Sequence, residues 1–173
     1  VNMIGGQVEL VYDGGYFAIN SGVKLASYTP SFSESVLIVT AQKSMGVLTL
    51  TGQLSPPDSD LTALYRGLCL GLRDYVQKNG FPGVVLGLSG GVDSALVAAI
   101  AVDALGADAV HGVMMPSAYT SQKSRDDASK LASALGIRLD TVPIAPAMTA
   151  LDEMLGDQFV GTKPGVAEEN IQS

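Results

Sequence analysis

The sequence predicts an α/β fold, a parallel sheet with helices on both faces, preceded by a β-rich segment. Three observations predict it. From residue 83 onward, apolar runs of buried-strand type alternate with stretches of helical periodicity in the order β-α-β-α-β-α. Before residue 52, apolar residues recur at period two between Gly- and Asn-containing turns. Between the two lies a polar stretch containing Pro56-Pro57. The chain is therefore expected to divide into a β-rich end of one domain (1–51), a linker (52–60) and the beginning of an α/β domain (61–173).

The elements follow in order. Val8, Leu10 and Tyr12 alternate and stop at the Asp13-Gly14-Gly15 turn. Tyr16, Phe17 and Ile19 follow, closed by Asn20-Ser21-Gly22. Val23–Tyr28, Val36–Thr40 and Val47–Thr51 are three further strand candidates. After the linker, Leu61, Leu64, Leu68, Leu72 and Val76 fall at helical spacing, with Ser59 or Asp60 as cap and Asn79-Gly80 as stop. Gly83–Leu88 is a short buried-type strand, and Gly90-Gly91 a tight turn. Val92–Leu105 is an Ala-rich helix that packs on a sheet and ends at Gly106. Ala109–Met115 is a second strand, and 116–123 a polar loop. A helix is expected to begin at Ser124 in a capping-box-like start and to stop at Gly136. Arg138–Ile144 is a third strand. Pro146 opens a helix, 156–165 is irregular, and Ala167–Ser173 starts another helix.

Composition narrows the function. The 173 residues are 47% hydrophobic and 16% charged, enough apolar material for a core. Net charge is −7, from 10 basic and 17 acidic residues, and no basic stripe suited to a nucleic-acid backbone is visible. No apolar run reaches membrane-spanning length, and Val1–Ile4 lacks the pattern of a signal peptide. No nucleic-acid or membrane partner is expected. The one cysteine, Cys69, allows neither an intrachain disulfide nor a cysteine metal cluster, which fits a reducing, cytoplasmic setting. The chain opens without Met and closes on Ser173 within an expected helix, so both ends read as cuts in a longer protein.

The sharpest signal is Ser89-Gly90-Gly91-Val92-Asp93-Ser94, directly after a strand and before a helix. The two glycines let the backbone turn tightly and approach a ligand. The helix start offers N–H donors and partial positive charge, and Ser89 and Ser94 add hydroxyls. This is a cradle for a pyrophosphate. Asp93 puts a carboxylate at the same spot, and beside polyphosphate such a hard oxygen ligand is best explained by Mg2+. A Walker loop needs a Lys that is not here, and Gly87-Leu88-Ser89-Gly90-Gly91 lacks dinucleotide-fingerprint spacing. The bland reading is an ordinary strand-to-helix turn with an acidic first turn.

Ser-Gly-Gly-x-Asp-Ser after a strand resembles the signature of the N-type ATP pyrophosphatases, whose Rossmann-like fold cleaves ATP between the α and β phosphates. The flanks narrow the resemblance. The stretch from Leu64-Tyr65-Arg66 to Asn79-Gly80-Phe81 is similar to the lead-in helix of bacterial glutamine-dependent NAD synthetases. So are Val113-Met114-Met115-Pro116-Ser117, Tyr119-Thr120-Ser121 and the closing Glu168–Gln172. Gly5-Gly6-Gln7 and Glu9–Gly14 resemble the last strands of their nitrilase-like glutaminase domain.

The resemblance implies a ligase that adenylates deamido-NAD with ATP and then amidates it with ammonia from glutamine. It implies an ATP site at Gly87, Leu88, Ser89, Gly90, Gly91, Val92, Asp93 and Ser94, with Asp93 as the Mg2+ acid. It places deamido-NAD contacts at Asn170 and Glu169, and a homo-oligomer. Two departures stand out. Ala118 occupies a place where the family pattern has Arg, so one phosphate or adenine contact is weakened or comes from elsewhere. The glutaminase Glu-Lys-Cys triad is also missing, since Cys69 falls in the 61–78 helix, so no catalytic residue is assigned. Cys69 and Met114-Met115 are expected in the core, with Met115 at a strand end close to adenine. His111 is read as structural because no acid lies near it in sequence, and Arg125-Asp126-Asp127 as a solvated helix start. The competing functions are another enzyme of the class, such as a GMP synthetase, and a nucleotide-binding module without turnover.

Overall fold

The computed structural model describes residues 2–117 and 119–155. The expectations for Ala118, for 156–165, for the helix from Ala167 and for Glu169 and Asn170 lie outside the described residues. The chain divides into two compact units, Val1–Pro82 and Gly83–Ser173.

The first unit holds three antiparallel hairpins and one helix. Strands β1 (Ile4–Gln7) and β2 (Leu10–Asp13) pair through Gln7↔Leu10, which leaves Val8 and Glu9 as the turn. Val8 has φ +55° and is 97% exposed, so it is not the strand residue its alternation with Leu10 and Tyr12 predicted. Gly5 and Gly6, poor strand formers by propensity, are strand residues instead. Strands β3 (Phe17–Asn20) and β4 (Lys24–Tyr28) form the second hairpin as expected.

Strands β5 (Val39–Ser44) and β6 (Val47–Gly52) form the third, turning at Met45-Gly46 with both φ values positive. The turn sets the register, and the last rung is Val39↔Gly52. Val36 and Ile38 therefore lie beyond the paired length and are 91% and 80% exposed, against a strand expected over 36–40. The second and third hairpins are joined by side chains. The Asn20 amide donates to the Leu50 carbonyl at 2.9 Å and accepts from the Leu50 N–H at 2.7 Å, as a neighbouring strand would. The buried Ser27 hydroxyl donates to the Gln53 carbonyl at 2.6 Å.

Helix α1 (Asp60–Lys78) is capped by Ser59, whose hydroxyl accepts from the Thr62 N–H at 3.3 Å, and it buries Cys69 and Val76. It packs against β1 and β2. By contacts it thus belongs with the β-rich residues, and the compact units part at Pro82 instead of in the 52–60 stretch.

Among the described residues, the second unit holds a parallel three-stranded sheet in the order β7 (Val84–Gly87), β8 (Val110–Met114), β9 (Arg138–Thr141), flanked by helices. None of β1–β6 joins it. Helix α2 (Val92–Leu105) packs on β7 and β8, and helix α3 (Gln122–Leu135) on β8 and β9. The two helices touch each other, which puts both on one face of the sheet. Their buried residues are small: Ala98, Ala101 and Ala104 on α2, Ala128 and Ala132 on α3. Val110, Gly112 and Met114 of β8 are buried, while His111 and Val113 alternate with them and are half-buried. Val85, His111 and Arg138 are register partners across the three strands, and Val85 is 70% exposed.

Helix α3 is capped three residues earlier than expected. Ser121 is its cap and accepts from the Ser124 N–H at 3.1 Å, so the Ser124 start is corrected to Ser121. Gly136 ends the helix in the left-handed conformation. Helix α4 (Ala145–Leu155) follows β9.

Candidate nucleotide site

A cleft of about 440 Å³ opens at the C-terminal ends of β7 and β8. This is where parallel α/β sheets bind ligands, and the volume is within the range of small-molecule sites. Gly87, Leu88 and Ser89 form one wall. Val113–Pro116, with Tyr119, Thr120, Ser121 and Ser124, form the other.

The first wall is a self-braced loop. Leu88 is buried, and its N–H donates to the Val113 carbonyl at 2.9 Å, which carries the β7–β8 pairing one residue past the strand. The Ser89 and Ser94 hydroxyls lie 3.0 Å apart. Ser89 Oγ accepts from the Gly91 N–H at 3.2 Å, and Ser94 Oγ donates to the Gly91 carbonyl at 3.1 Å. The two hydroxyls thus shape the turn itself. Gly90 stands at φ +81°, and a Cβ there would lie 2.2 Å from the Ser124 carbonyl oxygen. Only glycine meets both conditions. Helix α2 starts at Gly91, which offers no side-chain cap, whereas α1 and α3 are each capped by a serine. The N–H groups of the first turn of α2 are donors suited to an anion.

The second wall is braced by Ser117, which is 3% exposed. Its N–H donates to Thr120 Oγ1 at 3.0 Å, and its hydroxyl accepts from the Tyr119 N–H at 3.2 Å. Tyr119 is 70% exposed. Arg125 reaches back from α3 and donates to the Ser117 carbonyl at 3.3 Å. Its Nε is buried with no hydrogen-bond partner. The solvated helix start expected at 125–127 is therefore corrected for Arg125, which supports the loop from behind.

The ATP-binding residues expected from sequence are not all on one surface. Gly87–Ser89 line the main cleft. Gly90, Gly91 and Val92 line a smaller one of about 240 Å³ with Asp127 and Leu131, and Asp93 and Ser94 line neither. Asp93 is exposed in the first turn of α2. Among the described residues no three His, Cys, Asp or Glu converge. One carboxylate together with nucleotide phosphates is an ordinary donor set for Mg2+, so Asp93 fits that ion. Tyr119, Thr120 and Ser121 carried part of the family resemblance and Ser124 a helix start, but none of the four was expected to line the site. Their signal was position, in the loop after the second parallel strand.

His111 has an acid after all. Its Nε2 lies 2.9 Å from Asp140 Oδ2, diagonally across the β8–β9 pair, and Arg138 holds the same carboxylate at 2.6 Å. The Arg138 hydrogen bond is the leading cause that lowers the Asp140 pKa; desolvation opposes it, and the Arg138 charge and His111 add to the lowering. The group starts at the first residue of β9 and the second of β8, away from the cleft end of the strands.

Comparison with known proteins fits this geometry. The family model described as NAD synthase matches residues 64–173. A glutamine-dependent NAD(+) synthetase of Rhodobacter capsulatus is 48% identical over all of this chain, which covers 32% of that protein. One of Synechocystis is 46% identical, with 31% covered. The chain thus spans about a third of the length of the curated relatives it matches. Among solved structures, the glutamine-dependent NAD+ synthetase of Acinetobacter baumannii in complex with ADP superposes with a TM-score of 0.92. It is 40% identical, with 99% of this chain and 32% of that one covered. The NH3-dependent NAD synthetase of Campylobacter jejuni gives a TM-score of 0.57 at 27% identity, covering 66% of this chain and 48% of that one. With a family model matching well over half its residues and a nucleotide-sized cleft at the strand ends, this chain belongs to the NAD synthase family.

Proposed function

We propose that this chain is the ATP-binding part of a glutamine-dependent NAD synthetase, a ligase that converts deamido-NAD to NAD. The observation that carries the reading is the uncapped, glycine-turned start of α2 beside the cleft at the ends of β7 and β8. The ADP held by the Acinetobacter baumannii relative supports a nucleotide there. A carboxylate oxygen of deamido-NAD attacks the α-phosphorus of ATP, and pyrophosphate leaves. Ammonia then attacks the acyl carbon and loses a proton, and AMP leaves. Adenylation is needed because a carboxylate oxygen is a poor leaving group.

In this chain the first-turn N–H groups of α2 hold the departing pyrophosphate, and Ser89 and Ser94 keep the turn in shape. Such preorganised donors act where charge develops. Mg2+ bound at Asp93 would offset charge on the phosphates. Val113 and Met115 offer an apolar wall for the adenine. Deamido-NAD is assigned to Asn170 and Glu169, glutamine is the ammonia source, and the working protein is a cytoplasmic homo-oligomer. The 1–51 segment is the end of the nitrilase-like glutaminase domain, with 61–173 as the start of the synthetase domain. No described helix is long and apolar enough to cross a membrane.

The test uses a protein of the relatives' length, made by letting this chain replace the matching third of the Rhodobacter capsulatus relative. With ATP, Mg2+ and ammonium chloride, AMP should form with deamido-NAD and not with xanthosine monophosphate. Asp93→Asn should lower that rate about 10²–10³-fold, as removal of one transition-state electrostatic contact does. AMP formation with xanthosine monophosphate instead would favour a GMP synthetase. ADP binding without AMP formation from either substrate would leave a nucleotide-binding module.

A further inference from the structure

The family model begins at residue 64, inside α1, yet by its contacts α1 belongs with the β-rich unit. The helix is common ground between the family's own segment and the residues before it. Its last two turns grip both backbone polar groups of one residue of the first hairpin. The Gly6 N–H donates to Asp74 Oδ2 at 2.8 Å, and Lys78 Nζ donates to the Gly6 carbonyl oxygen at 2.5 Å. Asp74 and Lys78, one helical turn apart, pair with each other at 3.0 Å. The two side chains take the place a third strand would fill beside β1.

The approach is close because there are no side chains in the way. A Cβ on Gly6 would lie 3.2 Å from Asp74 Cβ, and one on Gly71 would lie 3.0 Å from Val11 Cγ2. Burial alone would raise the Asp74 pKa, but the Gly6 N–H, Lys78 and the Arg73 charge outweigh it and hold the carboxyl below its ordinary value. The acid is thus ionised and committed to the contact. Lys78 is the last residue of α1, and the chain then runs through Asn79–Pro82 into β7, the strand that leads to the glycine turn.

The comparisons give this contact a meaning. Glutamine-dependent relatives match 99–100% of the chain, and the NH3-dependent enzyme of Campylobacter jejuni matches 66%. The residues beyond the family's own segment therefore go with the use of glutamine. We propose that the Asp74–Lys78 grip on the Gly6 backbone is the joint that couples ammonia supply from glutamine to synthesis at the ATP site. Asp74 and Lys78 are positioning residues, and this role rests on the function proposed above. Ammonia from bulk solution needs no aligned donor domain, whereas ammonia from glutamine does. Losing the grip therefore separates the two nitrogen sources.

The experiment measures NAD formation with glutamine and with ammonium chloride in the full-length protein described above. The variants are Asp74→Ala, Lys78→Met and Asp74→Asn, the last keeping an acceptor oxygen for Gly6. In Asp74→Ala and Lys78→Met the ratio of glutamine-supported to ammonia-supported kcat should fall about tenfold, as loss of one charge-assisted hydrogen bond allows. The ammonia-supported kcat should hold, and Asp74→Asn should recover part of the ratio. An unchanged ratio overturns the proposal, and so does an equal fall of both rates, which would mark the grip as structural only. Absence of NAD formation from either source in the unsubstituted protein would instead sink the functional reading. The grip has its own check in the 173-residue chain, where Asp74→Ala should speed hydrogen exchange at the Gly6 amide. Unchanged exchange there would refute the contact itself.

Discussion

Replacing Gly90 by alanine separates two roles for the glycine pair. Gly90 sits at φ +81°, where an L-residue pays roughly 1–2 kcal/mol. The added Cβ would also lie 2.2 Å from the Ser124 carbonyl oxygen and 2.8 Å from the Ser124 carbonyl carbon and Cα. These are backbone atoms of α3 and cannot swing aside, so the helix or the turn must move, at an overpacking cost of about 1–3 kcal/mol. The sum, about 2–5 kcal/mol, corresponds to a fall of roughly 4–20 °C in Tm for a chain of this size. Gly91→Ala is the internal control. Gly91 has φ −90°, and its Cβ would meet only the Ser89 hydroxyl, at 3.3 Å, an exposed side-chain oxygen that need give way by only a few tenths of an ångström. Its cost should stay below about 1 kcal/mol, as for a substitution at compatible backbone angles. Calorimetry of the three proteins, checked for scan-rate independence, gives the difference. Equal Tm values for the two alanine variants would refute the argument, because the whole penalty at Gly90 comes from backbone angle and contact with α3.

Ser121→Ala should cost about 1 kcal/mol through loss of the α3 cap, and Ser124→Ala should cost clearly less, by urea denaturation of each. Asp74 has a lowered pKa in the folded chain, so its contribution is present in full above the ordinary aspartate value of 3.8 and is lost as pH falls through the lowered one. The urea midpoints of wild type and Asp74→Asn should therefore lie apart above about pH 4, the unfolded carboxyl value, and converge on acidification. At Asp140 the Arg138 hydrogen bond is the leading cause of the depressed pKa. Arg138→Ala should accordingly raise the Asp140 carboxyl titration, followed by carbon NMR, more than His111→Ala does.

The glycine turn before α2 and the strand–helix alternation were legible because both are local. Ser89–Ser94 lie within one strand-to-helix junction, and β7 and β8 are short, largely apolar runs, while β9 (Arg138–Thr141) is placed by the glycine before it and the proline after it. What escaped was set by tertiary pairing. Val8 continues the alternation of Leu10 and Tyr12 in sequence, but the Gln7↔Leu10 rung turns it into a loop residue. His111 and Asp140 are 29 residues apart and meet only because β9 lies beside β8. Asp74 and Lys78 read as ordinary helix charges, and nothing along α1 says that a glycine 68 residues upstream of Asp74 is their partner. Arg125 follows a helix cap, as solvated residues do, yet its guanidinium turns inward to a loop carbonyl.

The alanine faces of α2 and α3 have a consequence for binding thermodynamics. Side chains this small let the two helices come close enough that Gly90 touches the backbone of Ser124. Ser124 also lines the opposite wall of the cleft, next to the loop that carries Tyr119. A ligand group that tightens the glycine turn therefore shifts the free energy of the wall facing it, and by reciprocity a group seated against Tyr119 changes the affinity of the turn by the same factor. Under the function proposed above, phosphate and base of a bound nucleotide are in this way linked through the protein as well as through their own covalent bonds. Fragments of the nucleotide should show a coupling energy when they bind together that the same fragments lack on a turn and wall held apart.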